Sequence, residues 1–314
     1  MTQDLVAAEE CAALSGESHA LERYPSRETS LGSLQIWRAL PVREKRLVGP
    51  WCFLDRYGPL SFTSERAMDV APHPHIGLQT VSWLLDGEVL HQDSLGCEAL
   101  LRPGGVNVMT SGRGIAHAET TPAQNSGSLN GLQLWIALTD RNRDTEPAFQ
   151  HLPSVPKLEL DGCIASVFSG SLAGTEAPTT TFSPLVGADL EVHRGKNAAA
   201  PLDPRFEHAL FLLDGDCAIE DQTLERNTLY YLGTGRTEIA LKSSTGARIL
   251  LLGGPPFPET ILMWWNFVAR TPEEITAARE DWQQHRRFDS VRGFDGPRIE
   301  APSTLRFARP NPAS

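Results

Sequence analysis

No run in this 314-residue chain approaches the roughly 18 consecutive apolar residues that a membrane-spanning helix needs. A transmembrane segment is therefore not expected. The opening stretch MTQDLVAAEECAALSG lacks a basic region followed by an apolar run, so it does not read as a signal peptide. A cytoplasmic protein is expected. Positive charge is scarce: 28 Lys and Arg stand against 39 Asp and Glu, a formal net charge of −11. General affinity for phosphate backbones takes a basic face, so direct nucleic-acid binding is not expected. The five cysteines, Cys11, Cys52, Cys97, Cys163 and Cys217, are scattered and odd in number. No two are spaced as a zinc knuckle or a redox pair, and they read as free thiols of a reducing compartment. Stretches with helical periodicity are few as well.

Short apolar runs separated by turn signals fill the gap. Hydrophobic residues make up 40% of the chain, enough for a sizeable core, and Gly and Pro number 26 and 23. That pattern predicts an all-β protein of barrel or sandwich type. Residues 83–93 read WLLDGEVLHQD and residues 211–221 read FLLDGDCAIED. Each is an apolar run, an Asp-Gly pair, then an alternating run ending in Asp, and Asp-Gly is a favoured two-residue hairpin loop. A second echo follows, MTSGRG at 109–114 against LGTGRT at 232–237. Two copies of one barrel are expected. Residues 1–32 read as a polar lead-in, 33–145 as the first barrel, 155–270 as the second, and 271–314 as a C-terminal helix and tail. The charged, Pro-bearing segment DRNRDTEPAFQHLPSVP reads as the linker between the barrels. Thr271-Pro272-Glu273-Glu274 supplies an N-cap, a Pro at the first helical position and a Glu three residues after the cap. It predicts a helix of three or four turns.

The chemistry-bearing segments are APHPHIGLQT (71–80) and TSGRGIAHAET (110–120). His73 and His75 are two apart, as are His117 and Glu119. On a strand, alternate side chains share a face, so two strands can send three imidazoles and one carboxylate to a single point. That set leaves one or two positions open on a divalent metal. Imidazoles with a carboxylate and open positions favour Fe(II), with Ni, Cu, Mn, Co and Zn also compatible. Strand parity aims Gln79 at the same pocket, where its amide would bond a ligand without acting as a base. A hairpin at Asp86-Gly87 would pair Ser82 with His91, which places His91 on the far face as a non-ligand. His19, His151 and His285 read as solvated, and His193 and His208 as satisfied structural histidines. Shifting the four ligands by the repeat offsets lands on Pro201, Asp203, Ala240 and Lys242. A metal-free second barrel is expected.

RALPVREKRLVGPWCFLDRYGP (38–59), HPHIGLQTVSWLLDGEVLHQDSLG (73–96), LRPGGVNVMTSGRGIAHAE (101–119) and GLQLWIAL (131–138) closely resemble the pirin family of the cupin superfamily. Across most of residues 33–150 the resemblance is specific. In the second half it is looser, through GGPPF (253–257) and the capped helix. It implies two tandem cupin barrels with one metal, usually iron, in the first, held by His73, His75, His117 and Glu119. Pirins commonly carry Glu where Gln79 stands and Arg where Ile76 stands, so activity here can differ. The resemblance further implies quercetin 2,3-dioxygenase chemistry on a small aromatic such as a flavonol, with Glu119 as the catalytic base. Gln79, Trp83 and Met109 are the expected substrate contacts, with Val81 and Val108 as further apolar wall. Other pirins imply a different role, a metal- or redox-responsive regulator that binds transcription factors or metabolic enzymes. A monomer is the family expectation.

Overall fold

Residues that alternate between core and solvent, punctuated by Gly and Pro, leave little scope for helix. The computed structural model describes residues 7–11, 21–31, 34–63 and 68–307, and nearly all its regular structure is strand. Three strands come first: β1 (Ala7–Cys11), β2 (Glu22–Pro25) and β3 (Arg27–Leu31). The first barrel runs through β4 (Leu34–Leu40), β5 (Trp51–Ser61), β6 (Asp69–His75), β7 (Leu78–Gly87), β8 (Val89–Asp93), β9 (Glu98–Leu101), β10 (Val106–Thr110), β11 (Ile115–Thr120) and β12 (Ser128–Ala137), and β13 (Ala148–Leu152) follows it. The second begins with β14 (Lys157–Leu160), β15 (Cys163–Leu172), β16 (Thr175–Glu176), β17 (Val186–Val192), β18 (Asn197–Pro201) and β19 (Glu207–Gly215). It continues through β20 (Ala218–Ile219), β21 (Gln222–Thr223), β22 (Thr228–Gly233), β23 (Glu238–Lys242) and β24 (Ala247–Gly254). Then come β25 (Ile261–Trp264), β26 (Phe267–Ala269), α1 (Pro272–Gln283) and β27 (Arg306–Phe307).

The all-β expectation and the duplication both hold. Each barrel sets a large sheet against a small one. The large sheets share the order β10-β7-β12-β5-β4 and β22-β19-β24-β17-β15, and the small sheets the order β6-β11-β8-β9 and β18-β23-β20-β21. The Asp-Gly pairs are corners rather than hairpins. β7 pairs with β10 and β12, whereas β8 pairs with β9 and β11, so at Gly87 the chain leaves one sheet for the other. Gly87 has φ +87°, and a Cβ there would lie 2.2 Å from the Ser128 carbonyl oxygen. Gly215 does the same work in the second copy, with φ +77° and 2.0 Å to Gly246 O. Only a residue without a Cβ passes such a corner.

Two segments expected to be irregular form strands. In the lead-in, β3 joins β4 of the first barrel while β2 joins β22 of the second. In the linker, β13 covers the edge strand β10. Each large sheet thus has an edge completed from outside its own repeat, which removes an unpaired row of backbone groups. Expected lead-in residue His19 lies outside the described residues.

The large sheets pack back to back. Trp51, Val81 and Trp83 of the first meet Phe168, Phe211 and Leu250 of the second in one buried cluster. The helix forms as expected, with Thr271 Oγ1 accepting from Glu274 N. Its apolar face (Ile275, Ala278, Trp282) does not return to the second barrel. It packs with Ala116 and Ala118 of β11, on the outer face of the first barrel's small sheet. No helix among the described residues is long and apolar enough to cross a membrane.

Candidate metal centre

The inner face of that small sheet carries the polar residues. β11 lies between β6 and β8, with His117 opposite both His73 and Asp93, and Glu119 opposite His91. Cross-strand partners share a face. His73, His75, His91, Asp93, His117 and Glu119 therefore all point inward, and all are buried. The ring centroids of His73 and His117 are 4.4 Å apart, and those of His75 and His117 are 5.0 Å apart. The donor atoms of His73, His75 and His117 lie within 4.8 Å of one another, and so do those of His91, His117 and Glu119.

Hydrogen bonds assign the ring protons. His73 Nδ1 donates to Ala71 O at 2.9 Å, and His75 Nδ1 donates to Asn266 O at 3.1 Å. Each therefore keeps a bare Nε2. His75 Nε2 faces His117 Nε2 at 3.1 Å, a separation that two ring nitrogens adopt around a shared proton or a shared cation. Burial pushes His73 down to about 4, with the neighbouring His91 adding to the effect against its bond to Ala71. Burial, and then the other imidazoles, hold His75 and His117 well below the usual histidine range. At neutral pH all three are uncharged, the form in which imidazole ligates a metal. Burial raises Glu119, opposed by His91 and the bond from Ser82. The three neutral nitrogens of His73, His75 and His117 on rigid strands fit a first-row divalent cation, and Glu119 adjoins them through His117.

A cavity of about 290 Å³ opens onto this set, lined by His73, His75 and Glu119. Phe53 and Trp135 form one wall, stacked at 4.0 Å between ring centroids. Trp265 and Ile299, from the turn after β25 and from the tail, form part of the boundary. Ile299 N donates to Pro72 O at 2.8 Å, which ties the tail to the start of the ligand strand. Ser82 Oγ lies 2.9 Å from Glu119 Oε1 and 2.8 Å from Gln133 Oε1.

Several expectations are corrected. The expected substrate contacts Gln79, Trp83 and Met109 do not line this cavity. Gln79 Nε2 donates to Thr110 Oγ1 and Thr180 O. Trp83 stacks on Phe168 and donates to Asp189 Oδ2 at 2.8 Å, between the barrels. Met109 is buried opposite Thr80. Parity fails because β6 ends at His75 and β7 belongs to the other sheet, with Gly77 at φ +71° between them. Odd-numbered residues of β7 then face the second barrel, and Ser82 faces Glu119. His91 is not on the far face, since its partner is β11 and not β7. His151 is half-buried and bonded to Asn107. His193 is exposed, and buried His208 has an Nδ1 without a partner among the described residues. Trp265, Asn266 and Ile299 escaped sequence reasoning, and the Trp264-Trp265 pair was the available signal.

The inner positions of the corresponding small sheet in the second barrel are Ala198, Ala200, Ile219, Ile239 and Leu241, which carry no donor atoms. Pro201, Ala240 and Lys242, where the repeat offsets land, lie on the other face of that sheet, and Asp203 lies beyond the end of β18.

Residues 33–136 match the family model described as Pirin, and residues 187–289 match the one described as Pirin C-terminal cupin domain. The chain is 43% identical over 286 residues to a Pseudomonas aeruginosa protein named "Putative quercetin 2,3-dioxygenase", covering 90% of each. It is 30% identical over 267 residues to human pirin, covering 82% of this chain and 90% of that one. A crystal structure of quercetin 2,3-dioxygenase from Acinetobacter baumannii superposes with a TM-score of 0.87 at 41% identity, covering 94% of this chain and 97% of that one. Duplicated barrels, matching family models in both halves and relatives aligned over nearly the whole length agree, and this chain belongs to the pirin family of bicupin proteins.

Proposed function

We propose that the protein is a metal-dependent dioxygenase acting on a flat, flavonol-like aromatic, with quercetin 2,3-dioxygenase activity. The observation that carries this reading is the buried cluster of His73, His75 and His117, joined through His117 to Glu119, beside an aromatic-walled cavity that His73, His75 and Glu119 line. His73, His75, His117 and Glu119 would hold one divalent ion, Fe(II) in the first instance. When bound, the ion supplies Lewis acidity that favours the deprotonated form of a substrate hydroxyl. The stacked Phe53 and Trp135 accommodate a planar ring, and the rest of the lining is largely apolar, as ligand sites require.

Glu119 is the base. Burial raises its pKa, which makes the carboxylate a readier proton acceptor than an exposed one. Ser82 Oγ bridges Glu119 to Gln133, which gives a proton on Glu119 a hydroxyl acceptor with a further acceptor behind it. The Arg38–Asp55 pair, two parallel bonds of 2.8 and 2.7 Å, lines the same cavity and offers a polar anchor for substrate hydroxyls.

The test is aerobic incubation of the iron-loaded protein with quercetin, following loss of the flavonol absorbance. Absence of turnover with Fe, Ni, Cu, Mn and Co in turn rejects the activity as stated. Glu119→Gln is expected to retain part of the metal and to lose about 10²–10⁴-fold in turnover. Full activity in that variant removes Glu119 from the role of base.

A further inference from the structure

We propose that His91 and Asp93 form a fixed relay that sets the tautomer and orientation of His117, making them positioning residues for the metal centre. The inference rests on the metal-site reading above. It starts from a buried chain of contacts on the inner face of the small sheet. Asp93 Oδ1 accepts from Leu95 N and Cys97 N, both at 2.9 Å. Asp93 Oδ2 lies 3.2 Å from His91 Nε2. His91 Nδ1 lies 3.4 Å from His117 Nδ1. His117 Nε2 then faces His75. Asp93, His91 and His117 are 0%, 2% and 1% exposed, so water does not substitute for any of these contacts. Phe149 of β13 stacks on the His91 ring at 4.0 Å and 5°, which fixes the ring plane.

The proton count along this chain closes in one direction. An ionised carboxylate only accepts, so the His91 proton sits on Nε2. His91 Nδ1 is then a bare acceptor, and His117 Nδ1 must carry the proton that it accepts. That leaves His117 Nε2 with its lone pair, as in His73 and His75. The three imidazoles reach the same tautomer by different means. Backbone carbonyls fix His73 and His75, and the relay fixes His117. Partners of this kind orient ligating histidines and raise their basicity, and their loss typically costs 10–100-fold in metal affinity.

Asp93→Asn is the discriminating variant. The two backbone N–H groups hold Oδ1 as an acceptor, so the new amide keeps its oxygen there and turns its NH₂ toward His91. His91 must then accept at Nε2 and donate at Nδ1, which opposes the N–H of His117. The probe is Co(II) added to the full-length protein, with its dissociation constant measured by chelator competition and its visible spectrum recorded. The expected result is Co(II) affinity about 10–100-fold weaker, an unchanged coordination number, and an unchanged apo melting temperature. His91→Asn, whose Oδ1 stands near the place of Nδ1, is expected to bind Co(II) more tightly than His91→Leu.

Parent-like affinity in Asp93→Asn overturns the relay, as does equal affinity in His91→Asn and His91→Leu. A His91→Leu spectrum showing one ligand fewer also overturns it, because His91 would then be a direct ligand. If the parent itself takes up no Co(II), the metal-site reading falls and the relay with it, an outcome distinct from failure of the variants alone.

Discussion

The two barrels share one strand order and differ in what their small sheets hold inside. In the first, the inner face of β6, β11 and β8 bears four histidines, Asp93 and Glu119, with a cavity above them. In the second, the equivalent face bears Ala198, Ala200, Ile219, Ile239 and Leu241, in one hydrocarbon cluster. The outer faces differ too. α1 covers Ala116 and Ala118 of β11, whereas Glu238, Ala240 and Lys242 of β23 are exposed. The backbone tolerates either interior. The barrel with the costly polar interior is the one whose strands are clamped from both sides. Buried polar groups must be held in satisfying geometry, and a ligand set works only on rigid support. The segment after the second barrel supplies part of that support, through the Asn266 carbonyl on His75 and through the helix that follows.

The sharpest break of this comparison is His75→Ala, expected to abolish stoichiometric metal binding while the apo fold survives. Metal analysis and apo melting check it, and retained stoichiometric metal would dissolve the distinction between the barrels.

Acid titration of the apo protein comes next. Burial holds His73, in the first barrel, and His208, in the second, down to about 4 from 6.5. Below pH 6.5 the unfolded chain takes up protons that the folded chain refuses until about pH 4. More protons are then bound unfolded than folded, so stability falls as pH falls through this window. The expected loss is roughly 3 kcal/mol per imidazole, complete below about pH 4. Denaturant titrations across pH measure it. His208→Leu should remove one such share and leave metal binding alone. An unchanged pH profile in that variant contradicts the assignment.

Leu212→Ala, in the hydrocarbon interior of the second barrel, should cost about 2–5 kcal/mol with metal stoichiometry unchanged. Metal loss in a variant that is still folded would show that the second interior serves the site directly.

Much of this was legible in the residues. The Asp-Gly repeat revealed the duplication, although each pair turns a corner between sheets. The spacing of His73 with His75 and of His117 with Glu119 placed each pair on one face, because each pair stays within one strand. Reasoning by parity fails at Gln79, where the count crosses Gly77 and a change of sheet. A Cβ at Gly77 would lie 2.0 Å from Val268 O, so that glycine marks a close crossing invisible in a linear pattern. His91 faces inward because its partner strand is β11 and not β7, the strand nearest in sequence. Trp265, Asn266 and Ile299 reach the cavity from the far end of the chain, and beyond the Trp264-Trp265 pair no local pattern announces such a return.

The exchange of edge strands bears on how the molecule is made. β2 precedes the first barrel yet pairs with β22, from Glu22 against Tyr231 to Pro25 against Thr228. On the ribosome, that segment waits without its partner until Tyr231, deep in the second repeat, has been translated and has emerged. The nascent first repeat finds its covering strands β3 and β13 beside it in sequence, but the second cannot be finished without a piece synthesised before the first. A gene cut between the repeats would therefore leave the downstream product lacking a strand that only the upstream half encodes.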